Sequence, residues 1–298
     1  MNAPQSLPFM AITGSQPCPP EVVAALHTRI VPPLVDRDAT LQDRLVWLGD
    51  EIGRQVQQVR AADTRIAWTH FLCTTCLSPM LTGWPAQTSA LFDRIESHCG
   101  LRPLALLQPY ECTGWGYALR FAGAIAGLRY VVLSIVDADI HDAIAAGYEQ
   151  NIGRIGFGVT TVAIVLNDPR AVPRCGGPYP NRAFSEFMHA VKAVRRERSG
   201  IQTFIPFLPE GFAGLAQRVL GPQTLGPNRH AVYGHTFGAD PWIGLIEWLQ
   251  ADPPGADEAV ALGAFAYDGY FALCEFSVSP TTRVALAAFA GLTAEGSV

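Results

Sequence analysis

Residues 107–122 read LQPYECTGWGYALRFA, with a lone cysteine where an apolar run ends and a helix-like stretch begins. Two readings of Cys112 follow. It is a small core residue, since free cysteine is among the most buried residue types. Or it is a nucleophile at a helix start, where unpaired N–H groups and the positive dipole end favour a thiolate. A second thiol motif, Cys73 and Cys76 in a CxxC, invites a zinc reading. A structural zinc site needs four ligands, and no second pair with suitable spacing follows. The expectation is therefore no metal, with Cys73 and Cys76 as buried thiols in a strand and its exit loop.

The bulk composition narrows the classes. The chain has 298 residues, 49% hydrophobic and 16% charged, with a net charge of −5. An acidic balance argues against nucleic-acid binding, which needs basic surface to neutralise phosphates. Residues 66–92 carry no Asp, Glu, Lys or Arg, yet are too rich in Thr, Ser, Gln and Pro to span a membrane. The opening MNAPQSLPFMAITGS lacks the pattern of a secretion signal, so seven cysteines read as free thiols in the cytoplasm.

The elements that must position any chemistry alternate. PFMAITGS reads as a strand followed by a proline-punctuated loop, LQDRLVWLGDEIGRQVQQV as a helix, and IAWTHFLCTT as a buried strand. TSALFDRIESHCG reads as a helix, ALLQPY as a strand, and TGWGYALRFAGAIAG as a buried helix. YVVLSIVDA and GFGVTTVAIVLND are near-continuous apolar runs, the pattern of strands covered on both faces. The second half repeats the order: FSEFMHAVKAVRRERSG helix, TFIPFL strand, EGFAGLAQRVLG helix, HAVYG strand, GADPWIGLIEWLQ helix, then EAVALGAFAY and YFALCEFSV as closing strands. The pattern predicts an α/β fold with mostly parallel sheets and a duplicated architecture. The division falls in NDPRAVPRCGGPYP, giving halves 1–168 and 169–298.

Five segments in order, from residue 105 to 276, resemble the thiolase-like superfamily, especially β-ketoacyl-acyl-carrier-protein synthase III. ECTGWGYALRFAGA resembles its nucleophile segment, and GFGVTTVAIVLND its Gly-Asp-Gly-Ala strand, with Phe157 in place of Asp. FIPFLPEGFAGLAQRVLG resembles the Ile-Pro-His-Gln-Ala-Asn segment, VYGHTFGADPWIGLIEWL the Gly-Asn-Thr turn and helix, and EAVALGAFAYDGYFALCEF the final glycine-rich strand pair. The first hundred residues match loosely. The resemblance implies a thiolase-like duplicated αβαβα layered fold with two pseudo-symmetric halves. It implies a Cys-His-Asn triad, in which the cysteine maps to Cys112. The family histidine maps to Phe207 and the family asparagine to His235, whose Gly-His-x-x-Gly setting is closer to the turn of thiolases proper.

A histidine within reach of Cys112 can take its proton, as in other Cys–His nucleophiles. Gly114 and Gly116 would let the helix pack closely and admit a pantetheine arm, and the Cys112 backbone N–H can help hold an oxyanion. Phe207 supplies no side-chain donor, so decarboxylative condensation is expected to be impaired. Phe207 and Trp115 are the candidate substrate-binding residues. The resemblance implies an acyltransferase that takes a thioester of coenzyme A or acyl carrier protein as substrate, with no resident cofactor, and that forms a homodimer. It leaves open a non-catalytic partner subunit, heterodimeric with a ketosynthase-like chain, and a condensing ketosynthase with an unusual site. Lys192, Arg195, Arg196 and Arg198 can dock an acidic carrier or the phosphates of coenzyme A, or form a solvated helix face. Glu111, beside the thiol, raises its pKa if close and ionised.

Overall fold

The molecule is described from a computed structural model, which covers residues 17–30, 39–60, 66–77, 85–140 and 153–289. The strand read at PFMAITGS lies outside the described residues. The two apolar runs form the centre of a sheet: β4 (Tyr130–Asp137) and β5 (Phe157–Val165) are buried over almost their whole length. Beside them lie β2 (Thr69–Cys73), β3 (Pro103–Leu107) and β1 (Glu21–Ile30), in the order β3-β2-β4-β5-β1. The order continues β9-β8-β7, with β7 (Gln202–Phe204), β8 (Glu258–Phe265) and β9 (Phe271–Val278). The join between the two parts is a single residue pair, Glu21 with Ser277. Two short or peripheral strands complete it: β6 (Arg174–Gly176) lies beside β9, and β10 (Arg283–Phe289) beside β1.

Helices fill three layers around these strands, each with its own apolar cluster. On one outer face, α1 (Leu41–Arg60) and α2 (Pro85–Cys99) set Leu45, Leu48, Ile52 and Leu91 against Leu72, Val132 and Ala163. On the other, α4 (Ala183–Glu197) and α5 (Glu210–Leu220) set Phe187, Val191 and Ala216 against Ala261 and Leu273. Between the sheets run α3 (Gly114–Ala124) and α7 (Asp240–Ala251), whose residues share one cluster with Leu133, Val162, Leu262 and Phe276. The succession is α, β, α, β, α. Trp115 of α3 meets Trp242 of α7 edge to face at 5.4 Å between centroids. Such a pair is worth about 1 kcal/mol beyond its buried area.

Four expectations are corrected. The sheet is mixed rather than mostly parallel: β4–β5, β1–β5 and β8–β9 are antiparallel. The short connection from β8 to β9 cannot make the crossover that a parallel pair needs. HAVYG is a single helical turn, α6 (His230–Tyr233), closed by Gly234 at φ +78°. A four-residue apolar run does not distinguish strand from helix by periodicity. The strand in TFIPFL stops at Phe204, ahead of Pro206, which has no N–H to give a ladder. Finally, the chain does not close on two strands. β10 follows β9 and runs parallel to β1, which itself begins directly after a proline run read as loop.

The central helix lies close to its sheet because of one glycine. A Cβ on Gly116 would stand 2.3 Å from the Cβ of Ala272 on β9, whereas one on Gly114 would meet only ordinary contacts at 3.6 Å. Gly116→Ala must push α3 off β9, and overpacking of this kind costs about 1–3 kcal/mol. A lowered urea midpoint with an unchanged slope is the expected result.

Candidate active site

β3 ends at Leu107, whose carbonyl accepts the Thr74 N–H at 3.2 Å, and the chain then turns through Tyr110. Residues Glu111–Thr113 form one tight turn before α3 begins. Glu111 holds φ at +44°, an uncommon conformation for a residue with a side chain. Such strain persists only where the surroundings hold it, and it clusters at functional sites. Here it delivers Cys112 to the mouth of α3, 6% exposed. No side chain caps α3; the turn before it runs straight into the helix, with the Gly114 N–H donating to Glu111 O.

His235 comes from the other half of the chain. Its backbone is clamped on both sides, donating to Arg154 O at 2.8 Å and accepting from Gly156 N at 3.0 Å. Gly156 is required there, because a Cβ would lie 2.1 Å from the Tyr233 carbonyl oxygen. Gly238 serves likewise on the thiol side, where a Cβ would lie 2.9 Å from the Cys112 carbonyl oxygen. The result is a distance of 3.7 Å from His235 Nε2 to Cys112 Sγ. The structure brings together the two residues that are 123 positions apart in the chain.

The third member is absent from the sequence reading. Asp240, fully buried at the start of α7, has Oδ2 2.5 Å from His235 Nδ1. The same oxygen accepts the Phe207 N–H at 2.9 Å, while Oδ1 accepts the Thr236 N–H at 2.6 Å and the Thr236 hydroxyl at 2.5 Å. With Nδ1 directed to the Asp240 carboxylate, Nε2 is the ring nitrogen that faces the sulfur. Burial works against protonation of His235, but the charge and hydrogen bond of Asp240, with help from Cys112, lift its pKa well above the ordinary value. Burial pushes the Cys112 thiol up, with Glu111 and Asp137 adding to it, and His235 opposes them. The thiol is thus a reluctant acid set beside a strengthened base.

The two candidate substrate-binding residues are both buried. Trp115 is fully buried in the central core against Trp242 and Phe276, so it packs the helix layers rather than facing a substrate. The Phe207 ring is 1% exposed and stacks on Tyr233 at 6.1 Å. Its contribution to the site is its backbone N–H. Phe157 is also buried, at the start of β5. Cys73 and Cys76 are buried thiols raised by burial, and no group of three metal-ligating side chains exists among the described residues. The turn that holds Cys76 is instead tied to Asp137, whose Oδ1 accepts the N–H groups of Thr75 and Cys76 at 2.7 Å each. Burial raises Asp137 to about 7 despite those bonds. Both missed acids leave a faint trace in sequence. Asp240 is a lone acid opening an apolar helix, five residues after a Gly-His turn, and Asp137 is a lone acid ending an apolar strand.

This five-layer architecture has counterparts among solved structures. The chain is similar to the priming β-ketosynthase of the R1128 polyketide biosynthetic pathway, at 12% identity over 91% of this chain and 99% of that one, TM-score 0.58. It is similar to the acyltransferase ChlB3, at 13% identity over 88% and 99%, TM-score 0.64. A third is 3-oxoacyl-(acyl carrier protein) synthase III from Pseudomonas aeruginosa PAO1, at 15% over 86% and 97%, TM-score 0.59. The chain has the thiolase-like fold of the synthase III enzymes. No protein-family model and no curated protein sequence matches it. Among the described residues, no helix is long and apolar enough to cross a membrane.

The geometry makes the basicity of His235 depend on Asp240. Asp240→Asn removes the charge that raises the imidazole, so the Cys112 thiolate becomes harder to form. Alkylation of Cys112 by iodoacetamide, followed by peptide mass spectrometry, should slow about tenfold at neutral pH. Its pH profile should move upward by about one unit, the same free energy expressed on the pH axis.

Proposed function

We propose that the chain is a thioester-dependent acyltransferase that works through an acyl-Cys112 intermediate. The observation that carries this reading is the Cys112–His235–Asp240 chain of contacts, at 3.7 Å and 2.5 Å, built at the start of a buried helix. His235 takes the thiol proton through Nε2, and the sulfur attacks the carbonyl carbon of a coenzyme A or carrier-protein thioester. The Cys112 N–H at the mouth of α3 helps hold the oxyanion of the tetrahedral intermediate. The imidazolium then returns its proton to the departing thiol, and Asp240 stabilises the imidazolium while it exists. The acyl group passes to a second acceptor by the same steps in reverse order.

The solved structures similar to this chain carry the names of acyl-handling enzymes, a priming ketosynthase and an acyltransferase among them, which supports the same chemistry here. Transfer is favoured over decarboxylative condensation, because Phe207 supplies no side-chain donor where the resembling synthases carry histidine. The completed contacts from sulfur to carboxylate favour an enzyme over a non-catalytic partner subunit, which has no need of them. No resident cofactor enters this chemistry, and the thioester is a substrate. The synthase III likeness points to a homodimer, and the sheet edge at β3, with Leu104 58% exposed, is the proposed subunit contact.

Incubation with a panel of acyl thioesters should add an acyl mass to the intact protein that disappears in Cys112→Ala. In His235→Ala the rate of loading should fall by about two orders of magnitude or more, the usual scale of a lost general base. Malonyl thioester should lose carbon dioxide no faster with the protein than without it. Brisk decarboxylation, or no adduct with any donor, would refute the proposal.

A further inference from the structure

Two phenylalanines that the chemistry above leaves unused hang from the backbone that holds His235. Ile155 bridges to His235, and Phe157 opens β5 one residue after Gly156, whose N–H donates to the His235 carbonyl. Phe237 follows His235 by two positions, and its ring stands 5.3 Å from the imidazole, centroid to centroid. Both phenyl rings are buried, and both belong to the apolar cluster that takes in Cys112, together with Cys76, Ala138, Ile140 and Ile155. The sulfur lies 3.7 Å from His235 Nε2. An acyl chain bonded to that sulfur therefore starts in apolar surroundings, with a phenyl ring beside the base.

The backbone at Phe237 shows that this ring is placed at a cost. Its φ is +54°, in the left-handed region, and for a bulky side chain that is an outlier. Such a conformation persists only where the surroundings enforce it. They do so here from three sides. The Asp240 N–H donates to the Phe237 carbonyl, and the Ala239 N–H donates to the Thr236 carbonyl at 3.1 Å. Gly238 lies so close to the Cys112 carbonyl oxygen that an added Cβ would stand 2.9 Å from it. The turn cannot slide without moving ring, imidazole and thiol together. Burial alone does not call for a strained φ, since a relaxed backbone can bury a ring as well. The strain serves to aim this ring at the place where imidazole and thiol meet.

We infer that the acyl chain carried by Cys112 lies against the Phe237 ring, and that this ring sets the length of chain accepted. The inference rests on the acyl-Cys112 reading proposed above and names the residue that selects its donor. A ring fixed in this way discriminates by length, because one misfitted methylene in a hydrophobic site is worth about tenfold or more.

Two measurements test this, and only the second needs the acyl-enzyme. In the first, unacylated protein is labelled with methyl or hexyl methanethiosulfonate, and modification of Cys112 is read by peptide mass. Each rate is divided by that of free mercaptoethanol. In the wild type the hexyl reagent should trail the methyl one by about tenfold. The gap should close severalfold in Phe237→Ala and in Phe237→Gly, the latter suited to the positive φ without strain. Phe187→Ala, which removes a buried ring from the separate cluster under α4, should leave the gap as it is. A thermal midpoint establishes that each variant compared is folded, and Phe237→Leu, which keeps most of the apolar volume, replaces either Phe237 variant that is not. In the second, acetyl and hexanoyl thioesters of N-acetylcysteamine are compared for loading of Cys112 by intact mass. The Phe237 variants should shift the balance toward hexanoyl by a similar factor. No gap in the wild type, a gap unchanged in the Phe237 variants, or an equal shift in Phe187→Ala overturns the inference. Absence of any acyl adduct sinks the acyl-transfer reading separately, and the alkyl reagents still decide whether Phe237 limits length.

Discussion

The Asp240 carboxylate is the point on which the site turns. Its two oxygens receive four hydrogen bonds, from the His235 ring, the Thr236 N–H and hydroxyl, and the Phe207 N–H. Those donors come from two separate stretches of chain, the segment after β7 and the turn before α7. One buried carboxylate therefore joins the segment that carries Phe207 to the turn that carries His235. It also fixes the imidazole tautomer, and with it which ring nitrogen faces the thiol. A carboxylate in this position orients the imidazole.

The five layers exist to hold two helix beginnings face to face. α3 starts beside Cys112 and α7 starts at Asp240, and both helices are buried between the sheets. Their tryptophans meet edge to face, and Gly116 and Gly238 remove the side chains that would keep the backbones apart. Outer helices α1, α2, α4 and α5 then cover the sheet faces that water would otherwise reach. Because interiors pack to crystal-like density, a shift of either central helix moves sulfur and imidazole relative to each other.

Electrostatics separates this site from a simple thiolate trap. Burial and acidic neighbours hold the thiol protonated, and a strengthened imidazole offsets them.

Much of the architecture was legible from residue order. The buried strands YVVLSIVD and FGVTTVAIV, the amphipathic helix at residues 41–60 and the apolar helix after Cys112 are all local patterns, and local backbone preference plus burial decides them. The resemblance in motif order placed Cys112 and His235 as a pair to be compared. Strand direction, the turn at HAVYG and the return of β10 to β1 were not legible, since each depends on partners distant in the chain. The site followed the same divide. Residue types announced a thiol at a helix start and a histidine in a glycine turn. Only the folded chain could show that Trp115 and Phe207 are core residues, and that Asp240 completes the contact with His235, because burial and a 2.5 Å hydrogen bond are properties of tertiary packing and have no fixed spacing in sequence.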